Sequence, residues 1–289
     1  MPERAAGSRI PSDPEGLAAF LKSAQGAGAP HTRGLEVRPK AVRDFLAEAP
    51  KYLAAARAIC EEVATSDRSM RAQLMEDVYR RVERFATTAG LAELKVAAHL
   101  GRTLGTLVKK LCGNPNTITA STLNTVSKAL AFLAQLCAPG VEEKLAGNAP
   151  FRMLVVDDDP LAKRAVMSTL QLAFEKPESA NDGAAALALV AQKPYDVIFT
   201  DVQMPFMDGF ELCALIRESG PNSSTPVVFI SSNTDPDSLA QGYRSGASDY
   251  IGKPFLPVEM TVKALTFAWA GRLQQIEAGA SSESGASPT

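Results

Sequence analysis

The sequence lacks the features of secreted, membrane-spanning and disulfide-rich proteins. Its cysteines, Cys60, Cys112, Cys137 and Cys213, show no paired spacing, so we expect small buried side chains in a reducing compartment rather than disulfides. No apolar run approaches the roughly 20 residues of a membrane-spanning helix, and the N-terminus has no signal-peptide core. These absences predict a cytoplasmic protein that does not insert into membranes.

An excess of positive charge is also missing. The chain has 30 Lys and Arg against 32 Asp and Glu, a formal net charge of −2, which predicts no surface for nucleic acid. The residues after the last predicted helix are too few for a helix-turn-helix, so we do not expect output through DNA. Apolar residues, in contrast, are plentiful at 46% of 289 residues, which suits about two globular domains.

In the C-terminal half, four short runs typical of strands lead into residues that carry charge or donate hydrogen bonds. These runs are Met153–Val156 before Asp157, Asp158 and Asp159; Val197–Phe199 before Asp201; Val227–Ile230 before Ser231; and Asp249–Gly252 before Lys253. Helical patterns alternate with the runs, which predicts a doubly wound parallel sheet. Ligands of such sheets bind outside the carboxyl ends of the strands, where these side chains are expected to lie.

The acidic cluster predicts a cation site. Three adjacent carboxylates, Asp157 to Asp159, would repel one another unless positive charge lies among them. Mg²⁺ is the most plausible ion because it is a hard cation that prefers oxygen ligands. Plainer interpretations stay open for single residues, since Asp159 before Pro160 is typical of a helix cap and Lys253-Pro254 of an ordinary turn.

Four segments carry a close resemblance to a known family. VVDDDP, IFTDVQMPFMDGF, VVFISS and GASDYIGKPF, in this order between about Phe151 and Leu273, resemble the signature segments of CheY-like response-regulator receiver domains. The resemblance implies a five-stranded sheet in the order 2-1-3-4-5. It also implies that Asp201 accepts a phosphoryl group from a histidine kinase, for which the chemotaxis type is one candidate.

The same resemblance implies roles for the neighbouring residues. The ligands of Mg²⁺ would be Asp157, Asp158, Asp201 and the backbone carbonyl of Gln203. Lys253 would pair with the phosphoryl oxygens and Ser231 would hydrogen-bond one of them. Tyr250 would be the aromatic residue that turns inward when that hydroxyl moves. Such a protein is a phospho-accepting signalling protein that supports its own phosphoryl transfer and hydrolysis, and not otherwise an enzyme.

Residues 41–138 show apolar residues at three- and four-residue steps in four stretches, separated by breaks such as Asn114-Pro115-Asn116. Such stripes are buried only by packing together, which predicts an antiparallel four-helix bundle. Pro50 is expected to kink or begin the first helix.

This region more faintly resembles the histidine phosphotransfer (Hpt) domain, especially the first domain of chemotaxis kinases. The resemblance rests on ERFATTAG at residues 83–90 followed by Ala98-His99. Alignment on its final Ala-Gly puts Glu83 at the position of the phospho-accepting histidine. The family's lysine, its next glycine and the acidic companion of a second histidine are replaced by Ala86, Thr87 and Arg102; the second histidine itself is kept as His99. A glutamate cannot form a transferable phosphoramidate, so a pseudo-phosphotransfer bundle is implied, with Glu83 and His99 facing solvent.

The expected organisation is therefore a flexible arm at residues 1–40, the bundle at 41–138, a linker at 139–150, the receiver domain at 151–275 and a disordered tail at 276–289. The expected function is a two-component response regulator phosphorylated on Asp201, whose output is contact with a downstream protein effector through the receiver face around Tyr250. Two alternatives stay open. One is a phosphorelay component whose bundle transfers phosphoryl groups through His99, and the other is a scaffold with an unphosphorylated receiver.

Overall fold

The computed structural model describes residues 40–145, 147, 150–175 and 177–284. These residues divide into two compact units. The first unit contains the described residues up to Gly113 together with those from Leu130 to residue 145, and the second contains Asn114–Ala129 together with the described residues from 147 onward. The predicted arm at residues 1–40 lies outside the described residues except for Lys40. No helix in the described ranges is long and apolar enough to span a bilayer.

Three long helices begin the first unit: α1 at Lys40–Thr65, α2 at Arg68–Leu91 and α3 at Lys95–Gly113. Asp67 caps α2 by accepting hydrogen bonds from the amides of Ser69 and Met70, each at 2.9 Å, as expected of an aspartate at this position. Pro50 lies within α1, so it does not begin the helix.

Small residues allow α2 and α3 to pack closely. A side chain at Gly101 would meet the Cβ atom of Ala86 at 3.0 Å, and one at Gly105 would meet Oε1 of Glu83 at 2.5 Å. Glycine at these positions therefore brings the two backbones together without leaving a void.

The predicted fourth helix is present as α4, Ala120–Leu136. Its residues up to Ala129 group with the second unit and those from Leu130 with the first. The sequence assigned all of these residues to the bundle, so the division differs from the expected boundary.

The predicted linker at 139–150 is also different, because it contains a short helix, α5, at Val141–Leu145. Its buried Glu142 accepts hydrogen bonds from the amides of Val96, at 2.6 Å, and Ala97, at 3.3 Å. Amides in the first turn of a helix have no partner within that helix, so Glu142 satisfies the start of α3.

The second unit is built on a parallel sheet of five strands. They are β1 at Met153–Val156, β2 at Glu178–Ala180, β3 at Val197–Asp201, β4 at Val227–Ser231 and β5 at Asp249–Gly252. Their order is β2-β1-β3-β4-β5, which confirms the predicted doubly wound topology. Every residue of β1, β3 and β4 is buried, as expected of central parallel strands covered on both faces.

Five helices connect or follow these strands: α6 at Pro160–Gln171, α7 at Gly183–Gln192, α8 at Gly209–Glu218, α9 at Pro236–Arg244 and α10 at Pro257–Ser284. The first four each begin after an aspartate whose carboxylate accepts hydrogen bonds from the first turn: Asp159, Asp182, Asp208 and Asp235. The interpretation of Asp159 as a helix cap is therefore confirmed. These caps fix the loops at the carboxyl ends of the strands.

The last helix is longer than the sequence predicts. We expected a disordered tail from 276, but α10 continues to Ser284. The extension contains Gln, Glu and Ala, which favour helix and outweigh the single glycine at 279. The last five residues lie outside the described part of the chain.

Candidate functional site

Three charged side chains from three strand ends meet at one edge of the sheet. Asp157 follows β1, Asp201 is the last residue of β3, and Lys253 follows β5. The Nζ atom of Lys253 lies 2.6 Å from Oδ1 of Asp201 and 3.4 Å from Oδ2 of Asp157. Because all five strands are parallel, their carboxyl ends lie at the same edge, which brings together residues far apart in sequence. We call Asp157, Asp201 and Lys253 the strand-end site.

Backbone hydrogen bonds hold the two carboxylates in place. The second oxygen of Asp201 accepts from the amide of Gln203 at 3.0 Å, and Oδ1 of Asp157 accepts from the amide of Asp159 at 2.9 Å. Lys253 is anchored through its own amide, which donates to the carbonyl of Ser231 at 2.7 Å. The Lys253-Pro254 peptide bond is cis.

Burial and charge act in opposite directions on this site. Burial raises the pKa of Asp157, the ammonium group of Lys253 acts against this, and the carboxylate of Asp201 adds to the increase. Burial alone would lower the pKa of Lys253, but its hydrogen bond to Asp201 and the charge of both carboxylates outweigh burial and leave that pKa raised. Lys253 is therefore a stable positive charge beside Asp201.

The donor atoms at this edge suit a hard cation. The side chains of Asp157 and Asp201 face a common positive group, Lys253, and oxygen donors of this type are preferred by Mg²⁺. Asp158 is exposed. Over residues 40–284, apart from the undescribed gaps, no three acidic, histidine or cysteine side chains form one metal-binding group.

Ser231 and Tyr250 lie beside a second feature, a mainly apolar pocket between the sheet and α9. The lining residues include Phe229, Ser231, Leu239, Gly242 and Tyr250. Ser231 is buried and its hydroxyl oxygen accepts from the amide of Asn233 at 3.0 Å. Tyr250 is half-buried, and burial, followed by the charges of Asp249 and Glu259, raises its pKa. Its phenol is therefore uncharged at neutral pH and can pack against apolar surface.

The sequence analysis assigned no role to one further residue of the site, Gly209. A side chain at Gly209 would clash with the carbonyl oxygen of Asp201 and with the backbone of Val202. Its amide donates to the carbonyl of Val202 at 2.9 Å. The first residue of α8 therefore lies directly against the end of β3 that carries Asp201.

His99 and Glu83, the two positions identified in the helical region, differ in their exposure to solvent. His99 is exposed, as predicted. Partial desolvation of its imidazole, followed by the charge of Arg102, lowers its pKa. The expectation that Glu83 faces solvent is wrong, because its side chain is half-buried and its carboxylate lies against Gly105. The side of α2 that carries Glu83 packs against α3.

The four cysteines are free thiols. Cys60, Cys137 and Cys213 are buried and Cys112 is half-buried. Burial raises the pKa of Cys60 and of Cys137 to about 12 and that of Cys112 to about 11. Because the thiolate is the reactive form, these side chains act as packing residues, as the sequence predicts.

Comparison with known proteins identifies the region around the strand-end site. A family model described as "Response regulator receiver domain" matches residues 153–265. The chain is 35% identical over 114 residues to a gliding motility regulatory protein of Myxococcus xanthus, covering 39% of this chain and 15% of that protein. It is 37% identical over 114 residues to the DNA-binding response regulator MtrA of Mycolicibacterium smegmatis, covering 39% of this chain and 48% of MtrA.

A solved structure of the chemotaxis protein CheY4 of Vibrio cholerae is similar to part of this chain. It is 37% identical, with a TM-score of 0.38, and the match covers 40% of this chain and 97% of that chain. Residues 153–265 are a receiver domain of a two-component response regulator. The chain spans only 15% and 48% of the two curated relatives named above. The activities of those complete proteins are therefore not assigned to this chain.

Proposed function

We propose that the receiver domain accepts a phosphoryl group on Asp201 from the phosphohistidine of a histidine kinase, and that the protein signals by contact with another protein. The observation that carries this proposal is the ammonium group of Lys253, held 2.6 Å from Asp201 and 3.4 Å from Asp157 at the carboxyl edge of the sheet. Phosphoryl transfer needs positioning and neutralisation of charge more than covalent help from the protein, and this edge supplies both.

In the proposed step, an oxygen of Asp201 forms a bond to phosphorus as the donor's nitrogen–phosphorus bond breaks. The electron pair of that bond stays on the imidazole nitrogen of the kinase. The new group brings about −1.5 to −2 charges to the site. Lys253 takes up part of this charge, while the amide of Gln203 keeps the second oxygen of Asp201 in place.

We further propose that Mg²⁺ binds beside Asp201, with ligands from Asp157, Asp158 and the carbonyl of Gln203. When bound, the ion neutralises charge on the transferring group. Asp158 is exposed, so its side chain has room to turn towards the pair of carboxylates. Lys253, which neutralises both carboxylates in this structure, then pairs with the phosphoryl oxygens.

The output side of the proposal uses Ser231 and Tyr250. A phosphoryl oxygen accepts a hydrogen bond from the hydroxyl of Ser231, and the ring of Tyr250 moves into the neighbouring apolar pocket, whose lining already includes both residues. Such a change biases a two-state domain and alters the surface that a protein partner meets. A net charge of −2 favours a protein partner over DNA.

The helical region is proposed to be a docking module related to the Hpt domain that has lost its chemistry. Glu83 occupies the position of the phospho-accepting histidine, and its carboxylate packs against Gly105. A charge at this place imitates that of a phosphohistidine. If Glu83→Gln and Glu83→Ala both bind the partner as well as the wild type does, this imitation plays no part.

The central test compares Asp201→Asn with wild type after incubation with acetyl phosphate and Mg²⁺, using intact-protein mass spectrometry. We expect one phosphoryl group on the wild type and none on the variant. The matched control is Asp196→Asn, because Asp196 lies at the other end of β3 and is paired with Arg272 at 2.8 Å; it should be labelled like the wild type. An unlabelled wild type would support the scaffold alternative, and label on Asp201→Asn would place the acceptor elsewhere.

The phosphorelay alternative predicts a different label. In the Asp201→Asn background, we expect no acid-labile, base-stable phosphoryl group after incubation with phosphoramidate. A label of this kind that disappears in the additional variant His99→Gln would show that the helical region transfers phosphoryl groups after all.

A further inference from the structure

One face of α4 is polar and yet buried within the second unit. Ser121, Asn124, Thr125 and Lys128 follow one another at three- and four-residue steps, so they share a face of the helix. In an isolated bundle this face would be solvated. In the structure, Ser121 and Thr125 are 5% and 2% exposed, which means that the receiver side of the unit covers them.

This polar face contacts a group of buried charges on β5 and α10. Asp249 accepts a hydrogen bond from Asn124 at 2.9 Å and forms ion pairs with Lys128 at 3.0 Å and Lys263 at 2.8 Å. Glu259, on α10, accepts a hydrogen bond from the hydroxyl of Ser121 at 2.5 Å. We call Asp249, Glu259 and Lys263 the buried cluster, since none of them is more than 2% exposed.

The contact has the energetics of a reversible interaction. Burying charges costs free energy that hydrogen bonds and ion pairs only partly return, so the net stabilisation by such an interface is small. If the helix moves away, water can satisfy the same groups. Lys128 adds a cation–π contact, with Nζ 5.2 Å from the centroid of the Phe267 ring.

The strand β5 links this contact to the strand-end site. Asp249, at the start of the strand, takes the contacts from α4, and Lys253, immediately after its end, pairs with Asp201. Between them, the hydroxyl oxygen of Ser121 lies 3.3 Å from the carbonyl oxygen of Tyr250. Lys253 and the residues that α4 contacts thus belong to one four-residue strand and the residue that follows it, which is a short path for coupling between them.

We propose that residues 121–128 of α4 are an intramolecular latch that covers the β5–α10 face of the receiver domain and opens when Asp201 is phosphorylated. The opening step rests on the phosphorylation proposed above, whereas the latch itself does not. Linkage requires the effect to be reciprocal, so a chain with a weakened latch gains affinity for a phosphoryl analogue.

The latch is tested with Asn124→Asp, which places a carboxylate against that of Asp249. Hydrogen–deuterium exchange of the full chain is expected to be at least tenfold faster in residues 120–129, and faster in β5, with β1 unchanged. Asn116→Asp is the matched control, because Asn116 is exposed in the same unit, and it should exchange like the wild type. Lys128→Met removes one ion pair without adding charge and should give a smaller increase. Unchanged exchange in both latch variants would overturn the proposal.

The opening step is tested with beryllofluoride and Mg²⁺ on the wild type, with fluorine NMR to establish that the analogue is bound. We expect faster exchange in residues 120–129 when it is bound, no change in Asp201→Asn, and tighter binding of the analogue to Asn124→Asp than to Asn116→Asp. Bound analogue with unchanged exchange would refute the coupling but leave the proposed function standing. Failure to bind would refute the proposed function, while the Asn124→Asp comparison still decides the latch.

Discussion

The receiver domain contains two groups of charges with the same composition and different surroundings. The strand-end site has two carboxylates and a lysine, and so does the buried cluster of Asp249, Glu259 and Lys263. The side chain of Lys253 in the strand-end site is 25% exposed, whereas that of Lys263 is 1% exposed. One group can therefore be reached by a phosphodonor, and the other cannot.

The difference in exposure changes the pKa of the two lysines in opposite directions. Desolvation opposes the charged form of both, but the carboxylates outweigh it at Lys253, whose pKa is raised, and not at Lys263, whose pKa is lowered. Similar ion pairs thus serve different purposes. A partly solvated lysine stabilises charge that arrives during a reaction, whereas a sealed one holds structural elements in register.

The largest effect is expected from Lys263→Met. The change leaves two buried carboxylates with only Lys128 as a cationic partner, and loss of one member of a buried ion pair costs about 3 to 5 kcal/mol. We expect a loss of about 3 kcal/mol in the free energy of unfolding of the second unit. Urea denaturation followed by the fluorescence of Trp269 measures it, since Trp269 is the single tryptophan of the chain.

The matched control for stability is Lys253→Met. The side chain of this lysine is 25% exposed, so water can partly replace it beside Asp157 and Asp201, and its loss should cost less than that of the sealed Lys263, about 1 kcal/mol. Equal losses in the two variants would contradict the distinction between the two groups of charges.

The rate of phosphoryl labelling, unlike stability, should depend strongly on Lys253. Removal of one preorganised group that stabilises developing charge slows a reaction about 100-fold or more, so Lys253→Met is expected to slow labelling by acetyl phosphate by about that factor. Lys193→Met is a suitable comparison, because Lys193 pairs with Glu178 at 2.7 Å and has no contact with the strand-end site; it should be labelled at the wild-type rate. Rapid labelling of Lys253→Met would assign charge neutralisation to another group.

The smallest effect concerns pH. Burial raises the pKa of Glu259 above its ordinary value, although Ser121 and Lys263 act against this. The native state thus binds the proton more tightly than the unfolded state, and this contribution to stability is present below the ordinary pKa of 4.5 and is lost as pH rises through the native pKa. The Glu259→Gln variant has no carboxylate to deprotonate, so its stability does not fall in this way.

We therefore expect Glu259→Gln to gain stability relative to wild type as pH rises from about 4.5 and to keep that advantage at neutral pH. Urea denaturation at several pH values, again followed by Trp269, gives the difference. An advantage that is largest at low pH would mean that the carboxylate is stabilised in the folded protein.

The strand-end site was accessible from the sequence because each of its residues follows a short strand-forming run. Val197–Phe199 before Asp201 predicts a buried strand ending in a carboxylate, and parallel topology brings such ends together. The order of the strands, in contrast, was implied by the resemblance to receiver domains. The contribution of Gly209 was not, since a close approach of two backbones leaves no pattern beyond the glycine itself.

The buried cluster was not accessible in this way. Ser121, Asn124 and Thr125 are residues of an ordinary solvated helix face, and their burial depends on contacts with Asp249 and Glu259, more than 120 residues away in sequence. Likewise, Glu142 looked like part of a polar linker because its role at the start of α3 is a tertiary contact. Periodicity identifies which face of a helix is apolar, but not which polar face will be covered.

The contact between Gly209 and the carbonyl oxygen of Asp201 has a consequence for sequence variation. Even a methyl group at position 209 must push α8 away from the sheet, and the acceptor carboxylate then shifts relative to Lys253. The neighbouring Phe206 is fully exposed and has no such restriction on its side-chain size. Its φ of 69° instead disfavours β-branched residues, so position 206 is restricted by its backbone conformation and position 209 by the space available.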